Sequence, residues 1–208
     1  GAQKQGYSDP SYVYDAEKNI LFNFHVYSKD AGFFQSVDSD DDDARNVMSA
    51  EVSTSTDNGK TWTHRLITNV VKPKGITGTF ATSGNGIQVK HGKYAGRLVQ
   101  QYIGTDSAHN GYAYSVYSDD HGATWHAGNR IGNSFNENKV VELSDGRLML
   151  NSRNWGDGVG RLVAISDDGG VTWKNQYLDT ALVDPEVNAG ITRMNPQATS
   201  GKAAKELL

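Results

Sequence analysis

The sequence predicts an all-β fold, and three observations support this prediction. An eight-residue pattern recurs at residues 55–62, 118–125 and 166–173. Stretches that alternate apolar and polar residues lie on both sides of each copy, as expected of half-buried strands. Glycine contributes 23 of the 208 residues, which suits many short strands joined by tight turns. A pattern repeated in this way indicates one supersecondary unit that is built several times.

Each copy of the pattern, which we call a box, is predicted to be a hairpin turn. Ser, Asp, Gly, Thr and Trp recur at fixed offsets, and in the first box they are Ser55, Asp57, Gly59, Thr61 and Trp62. We expect the Asp carboxylate to accept backbone N–H groups, Gly to supply a positive φ, and Trp to fold back as a small local core. Asp57, Asp120 and Asp168 are therefore predicted to be structural, because each is occupied in holding its own turn.

The segments between the boxes are predicted to be strands. The predicted strands cover residues 12–14, 20–27, 48–54, 65–71, 84–89, 97–103, 111–117, 140–143, 147–153 and 161–165. Residues 201–208 are the best candidate for a helix, or else a strand cut short by the chain end. About ten to twelve strands in groups of four, one box per group, are typical of β-propeller blades. Roughly 50 residues per blade gives about three to four blades, too few to close a typical ring.

Composition excludes several classes of function. The net charge is −4, so the sequence predicts no surface for nucleic acid. The chain has no cysteine and therefore needs neither disulfides nor a thiolate-held metal. No apolar run reaches membrane-spanning length and no signal peptide is present, so no membrane insertion is predicted. The six histidines show no close pairing, so we predict no metal site and no cofactor.

One acidic loop leaves two interpretations open. Asp38 and the four aspartates at residues 40–43 offer oxygen ligands of the kind that Ca²⁺ prefers. The run lacks the glycine and glutamate spacing of an EF-hand. A solvated loop is therefore the favoured interpretation.

The most informative segment outside the boxes is a predicted hairpin at residues 135–153. If its loop is the three residues 144–146, with Gly146 in the left-handed conformation, Leu143 faces Arg147. This register makes Glu137 and Arg153 cross-strand neighbours with Cβ atoms about 5 Å apart, whereas a two-residue turn would separate them. From periodicity alone, a surface ion pair worth roughly 0–1 kcal/mol is favoured over a functional pair.

The boxes together with this hairpin resemble the secreted bacterial exo-α-sialidases (neuraminidases), which are six-bladed β-propellers. The resemblance runs along nearly the whole chain, from residues 6–12 (GYSDPSY) and 21–27 (LFNFHVY) onward. The boxes are moderately specific because several non-catalytic propellers carry them, whereas the hairpin (FNENKVVELSDGRLMLNSR) is far more specific. The resemblance implies that residues 1–208 are a partial catalytic propeller domain, truncated to roughly three to four blades.

The resemblance also implies roles for single residues. Glu137 matches the glutamate that activates a tyrosine nucleophile, and Arg153 matches one of three arginines that bind the carboxylate of sialic acid. Asp9 matches an aspartate of the sugar pocket, and Tyr102 and Asn188 fall near pocket positions with weaker motifs. This chemistry is sound, because a guanidinium fork suits a carboxylate. The carboxylate of sialic acid would repel a carboxylate nucleophile, and a phenol avoids this repulsion. With a pKa of about 10, however, the phenol needs a base beside it.

Other parts of the family's site are expected outside this chain. The resemblance implies that the first arginine and the acid/base aspartate lie upstream of residue 1, and that the third arginine and the nucleophilic tyrosine lie downstream of residue 208. No Arg-Ile-Pro motif is present, and no tyrosine matches the nucleophile motif. We therefore expect an enzyme that hydrolyses terminal sialic acids from glycoconjugates with retention, of which this fragment alone is inactive. The alternative is a non-catalytic propeller that serves as a glycan- or protein-binding module or as a scaffold.

The expected partners are sialylated glycans, at a secreted or cell-surface location. An open propeller leaves unpaired strand edges and exposed apolar faces, so self-association through these edges is also expected. Trp155 is expected either to stack on a sugar or to pack on the edge of a blade.

Overall fold

The computed structural model describes residues 4–205, and nearly all of its regular elements are strands. The strands are β1 (Gly6–Asp15), β2 (Ile20–Ser28), β3 (Ser49–Ser55), β4 (Thr63–Leu66), β5 (Gly78–Ala81), β6 (Gly84–Asn85), β7 (Ile87–Gln88), β8 (Leu98–Thr105), β9 (Gly111–Ser118), β10 (His126–Ala127), β11 (Phe135–Glu142), β12 (Leu148–Asn154), β13 (Arg161–Ser166) and β14 (Lys174–Asp179). The helical elements are α1 (Thr68–Val71) and two 3-10 turns, Gly92–Tyr94 and Ala203–Lys205.

The strands form three sheets, numbered here in chain order. Sheet 1 has the order β4-β3-β2-β1-β6, sheet 2 has β10-β9-β8-β5 with β7 also on β8, and sheet 3 has β11-β12-β13-β14. The boxes connect β3 to β4, β9 to β10 and β13 to β14. Since β5 lies in sheet 2 and β6 pairs parallel to β1 of sheet 1, the chain crosses between these sheets and ties them together. The predicted unit of about four strands with one box is therefore present three times in the described residues.

All three boxes close by the same Ser, Asp and Thr hydrogen bonds. In the first box, Asp57 Oδ1 accepts from the backbone N–H groups of Lys60 and Thr61 at 3.0 and 2.9 Å. The Thr61 hydroxyl donates to Asp57 Oδ2 at 2.6 Å, and Gly59 has a φ of 81°. These hydrogen bonds lower the pKa of Asp57 to about 2, and the bond from the Thr61 hydroxyl has the largest effect. The carboxylate is therefore committed to its turn.

The three sheets pack against one another through two apolar cores, one between sheets 1 and 2 and one between sheets 2 and 3. Neighbouring residues of β8 show how this arises, because Leu98 enters the first core and Val99 enters the second. Both residues are fully buried, so the middle sheet is covered on both faces. Such double coverage holds the three sheets in a fixed stack.

The box tryptophans do not all behave as predicted. Trp62 stays with its own turn, where its Nε1–H donates to the carbonyl of Gly59 at 3.0 Å. Trp125 instead packs edge-on against Phe24 of sheet 1 at 4.9 Å between ring centroids, and Trp173 lies in the second core. The prediction of a small local core is therefore wrong for Trp125 and Trp173. A neighbouring sheet offers these rings more apolar surface than their own turn does.

Three predicted elements differ from the structure. Residues 65–71 are not one strand, because β4 ends at Leu66 and the Thr68 hydroxyl of α1 accepts the backbone N–H of Ala50 at 2.8 Å. Residues 84–89 divide into β6 and β7 around Gly86, where a Cβ atom would lie 2.2 Å from the carbonyl oxygen of Val99. Of residues 201–208, Ala203–Lys205 form a 3-10 turn, and residues 206–208 lie outside the described residues.

Candidate functional site

The hairpin of β11 and β12 has the predicted register. Its loop is the predicted one, because Leu143 N–H donates to the carbonyl of Arg147 at 2.7 Å, and Gly146 has a φ of 83°. Pairing then runs without interruption from Glu142↔Leu148 to Asn138↔Ser152. Beyond Asn138 a bulge shifts the register, so the paired strands twist away where the site begins.

Glu137 and Arg153 are in contact at this bulge, as predicted, although the regular pairing ends one residue before them at Asn138↔Ser152. Arg153 Nη1 lies 3.2 Å from Glu137 Oε2, and the side chains are 26% and 18% exposed. The backbone N–H of Glu137 donates to Asn136 Oδ1 at 2.7 Å, and that of Asn136 donates to the Ser152 hydroxyl at 3.1 Å. Local hydrogen bonds therefore fix the bulge that carries Glu137.

The ion pair lies on the wall of an open cavity of about 320 Å³. The remaining lining is mostly aromatic: Phe33, Phe34, Phe80, Ile103, Asn136 and Trp155. Trp155 lies 5.6 Å from the ring of Phe34 while it also faces the cavity, so it packs on its neighbours and lines the site at once. The cavity combines a charged wall with an apolar wall, an arrangement that suits a ligand with both anionic and apolar groups.

A chain of hydrogen bonds connects this hairpin to two other predicted site residues. Lys139 Nζ donates to Asn188 Oδ1 at 2.7 Å, and Asn188 Nδ2 donates to the carbonyl of Ser83 at 3.0 Å. The Ser83 hydroxyl in turn donates to Asp9 Oδ1 at 3.1 Å. Asp9 lies at a bulge of β1 with a φ of 56°. The structure thus links Asp9 and Asn188 to the hairpin through Lys139.

Lys139 is a site residue that the sequence analysis missed. Its residue is only 5% exposed, and burial lowers the pKa of its ammonium group to about 8, against the opposing attraction of Glu137. A buried lysine that keeps its proton at neutral pH is a fixed positive charge beside Glu137. The Glu-Asn-Lys order was the available signal, because residues 137 and 139 lie on the same side of a strand.

Tyr102 lies in the first apolar core and not at the cavity. Its ring lies 5.8 Å from that of Tyr114 and 6.4 Å from that of Phe24, and the residue is 1% exposed within the first core. Burial raises the pKa of its phenol well above the ordinary value. Tyr102 contributes its carbonyl to the hairpin, where it accepts from Asn138 Nδ2 at 3.2 Å. The structure therefore does not bring the phenol of Tyr102 to the cavity.

The acidic loop holds a lysine. Lys72 Nζ donates to the carbonyl groups of Val37 and Ser39, each at 2.8 Å. Burial lowers the pKa of Lys72 to about 8, while the charges of Asp38, Asp40 and Asp42 oppose that shift. Within residues 4–205, these aspartates do not form a cluster of three converging ligand atoms. The loop thus carries its own cation.

Comparison of the structure defines the class of fold. The structure described as Hadza microbial sialidase Hz136 aligns with a TM-score of 0.81 and 26% identity, over 90% of this chain and 37% of that chain. The predicted fold class is therefore confirmed, an all-β, sialidase-type β-propeller of which this chain covers only part. The three sheets of the described residues correspond to blades.

Comparison of the sequence defines the family. Residues 7–200 match the family of BNR repeat-like domains, so the chain belongs to that family. The chain is 49% identical to a sialidase of Micromonospora viridifaciens over 205 residues, which are 98% of this chain and 32% of that protein. It is 36% identical to a sialidase of Paraclostridium sordellii over 137 residues, 62% of this chain and 33% of that protein. The chain spans about a third of the length of these curated relatives.

Proposed function

We propose that residues 1–208 are a central part of an exo-α-sialidase catalytic domain that releases terminal sialic acids from glycoconjugates. The observation that carries this proposal is the 3.2 Å contact between Glu137 and Arg153 on the wall of a partly aromatic cavity. A scaffold needs neither residue at that position. Relatives named sialidases match along nearly the whole chain, which supports the same proposal.

In the proposed reaction, Arg153 binds the carboxylate of sialic acid and Glu137 is the base. A tyrosine from a flanking segment gives its hydroxyl proton to Glu137 as its oxygen attacks the anomeric carbon. The bond to the aglycone oxygen breaks in the same step, and an aspartic acid from a flanking segment protonates that oxygen. Water then attacks the anomeric carbon and gives a proton to the aspartate, the bond to the tyrosine oxygen breaks, and Glu137 returns its proton to that oxygen, so configuration is retained.

The Lys139 network has a distinct role in this proposal. Its ammonium group lies close enough to Glu137 to be attracted by it, so a positive charge stands beside the proposed base. Its hydrogen bond to Asn188 holds the polar chain that ends at Asp9, so groups from β1 and β11 keep a fixed spacing. Asp9 and Asn188 are then positioned to meet hydroxyl and amide groups of the sugar.

The first experiment is a fluorogenic sialoside assay on two proteins, the 208-residue chain and a full-length protein that carries the flanking segments. We expect turnover by the full-length protein and none by the chain, because the acid, the nucleophile and two arginines are supplied from outside it. Glu137→Ala should remove most turnover from the full-length protein, whereas Asp145→Ala, at the exposed far end of the same hairpin, should not.

Two outcomes would contradict the proposal. Robust turnover by the chain alone would show that the flanking groups are not required. Full-length protein that binds sialylated glycans without cleaving them would establish the alternative, a binding module. Circular dichroism of each variant checks that loss of turnover is not loss of folding.

We also propose that the chain acts outside the cell, a location implied by its resemblance to secreted sialidases. Among the helical elements of residues 4–205, none has the length and apolar character of a membrane span.

We propose in addition that the isolated chain associates with itself. Tyr7, Tyr12 and Tyr14 of β1 are 63%, 44% and 52% exposed, so the outer face of sheet 1 presents aromatic surface to solvent. Light scattering over a dilution series tests the association, and a monomer at every concentration would contradict it.

A further inference from the structure

Sheet 1 brings two histidines and a glutamate together on the face that points away from the first core. Residues directly opposite or two positions apart in paired strands share one face of a sheet. His25 of β2 lies opposite Glu51 of β3, and Ser53 of β3 lies opposite His64 of β4. Their neighbours Phe24 and Val52 point the other way, into the core. Three adjacent strands therefore fix the position of this group, which we call the histidine cluster.

The ligand atoms of the histidine cluster converge closely. Glu51 Oε1 lies 3.1 Å from His64 Nδ1 and 3.5 Å from His25 Nε2, and all three ligand atoms lie within 4.8 Å of one another. The Ser53 hydroxyl lies 2.8 Å from His25 Nε2 and 2.9 Å from His64 Nδ1. A tetrahedral ion with ligands at about 2.0–2.1 Å has its ligand atoms about 3.3 Å apart, a value that lies between the two distances from Glu51 Oε1 to the ring nitrogens.

The charge balance of the histidine cluster leaves room for a cation. Glu51 is a carboxylate of which only 7% is exposed, and buried carboxylates are normally paired with a charge or bound to a metal. The ion-pair contacts seen for Glu51 are with imidazoles, which are charged only when protonated. Each neutral imidazole has one N–H, which its tautomer places on either ring nitrogen, so the two nitrogens that face Ser53 can also present lone pairs. With these lone pairs turned inward, the carboxylate and both imidazoles can bind one cation.

We propose that the histidine cluster binds a zinc-type divalent ion through His25 Nε2, Glu51 Oε1 and His64 Nδ1. Two imidazoles and one carboxylate favour Zn²⁺ over Ca²⁺ or Mg²⁺, which prefer oxygen ligands alone. The cluster opens onto a cavity of about 790 Å³ whose lining includes Tyr7, Tyr12 and Trp62. That side leaves a fourth ligand position for water or for an anionic group of a ligand.

Isothermal titration of the metal-stripped chain with ZnCl₂ tests the proposal. We expect one equivalent to bind, with a rise in melting temperature, and no response to CaCl₂. His64→Ala and Glu51→Gln should each weaken zinc binding by more than about tenfold. The side chain of His64 is 59% exposed on an edge strand, so His64→Ala should fold normally. His126→Ala, which removes an exposed histidine of β10, is the matched control and should bind zinc like the wild type.

Two results would overturn the proposal. One is the absence of saturable zinc binding by the folded chain. The other is binding that His64→Ala and Glu51→Gln leave unchanged, which would assign the zinc to other surface groups. Cobalt(II) supplies an independent readout, because a tetrahedral site gives strong visible absorption that should disappear in His64→Ala but not in His126→Ala.

Discussion

The hairpin site, where Glu137 contacts Arg153, and the histidine cluster, which contains Glu51, each hold one carboxylate. The charges around these two carboxylates differ. Glu137 is in contact with a permanent cation, the guanidinium of Arg153, and the ammonium of Lys139, whose pKa is about 8, adds a second positive charge at neutral pH. Glu51 has imidazoles instead, which carry charge only when protonated. A carboxylate paired with a guanidinium has its counter-charge in place and holds that guanidinium in a fixed orientation. A carboxylate between neutral imidazoles lacks a positive charge, which a metal ion supplies.

The largest expected effect is the difference in turnover between a variant of Glu137 and a variant of Glu51. In the full-length protein, Glu137→Gln should lower turnover of a fluorogenic sialoside by about 10²–10⁴-fold, because the amide cannot accept the phenol proton. Glu51→Gln should leave turnover per folded molecule close to that of the wild type, and should instead weaken zinc binding by more than about tenfold. Equal losses of turnover in both variants would show that the two sites are not independent.

Arg153→Lys gives the next largest effect. A lysine keeps the charge but loses the planar fork, and hydrogen bonds to charged groups contribute about 1.5–3 kcal/mol. We expect kcat/KM of the full-length protein to fall by about 10–100-fold. Arg147→Lys is the matched control, because Arg147 pairs with Asp145 at the exposed end of the same hairpin. Equal kcat/KM values for the two lysine variants would contradict the assignment of Arg153 as a carboxylate ligand.

Lys139→Met tests whether the ammonium group of Lys139 is costly to bury. The pKa of Lys139 is lowered from 10.5 to about 8 in the folded chain, so between these values the unfolded state binds a proton that the folded state does not. Stability from this group therefore rises as pH increases from about 8 to about 10.5. In urea unfolding, the wild type should gain about 1–3 kcal/mol relative to Lys139→Met over that range.

The control for this prediction is an exposed lysine. Lys60 lies in the first box and is solvent-exposed, so Lys60→Met should follow the wild-type pH dependence. If the curves for Lys139→Met and the wild type run parallel from neutral pH to pH 10.5, the ammonium group is solvated, and burial does not lower its pKa.

The two sites also differ in how far the sequence predicted them. The hairpin register follows from a three-residue loop and Gly146 as far as Asn138, so local chemistry brings Glu137 and Arg153 close together, and a bulge that the sequence did not predict completes their contact. The histidine cluster depends on the pairing of β2 with β3 across a loop at residues 29–48, and no local spacing encodes that register. Histidines 39 positions apart in sequence therefore meet without any motif that relates them.

The placement of aromatic side chains also depends on contacts between sheets, which the local sequence does not encode. The boxes predicted their turns correctly, because each turn is closed by its own Ser, Asp and Thr. Whether a box tryptophan stays local, as Trp62 does, or enters a core, as Trp125 does, depends on which neighbouring sheet covers it. Tyr102 was misplaced for the same reason, since sheet 1 covers the face of β8 on which it lies.

The smallest expected effect on stability is that of His64→Arg. This variant places a permanent guanidinium beside Glu51, so the carboxylate of the histidine cluster acquires the kind of partner that Glu137 has in Arg153. We expect zinc binding to disappear, while thermal unfolding at pH 8 shows a gain of no more than about 1 kcal/mol, because the new ion pair lies on an exposed edge strand. Zinc affinity equal to that of the wild type would mean that His64 is not a ligand. A large loss of stability without zinc would mean that Glu51 has no need of a further positive charge, and the contrast between the two carboxylates would then rest on geometry alone.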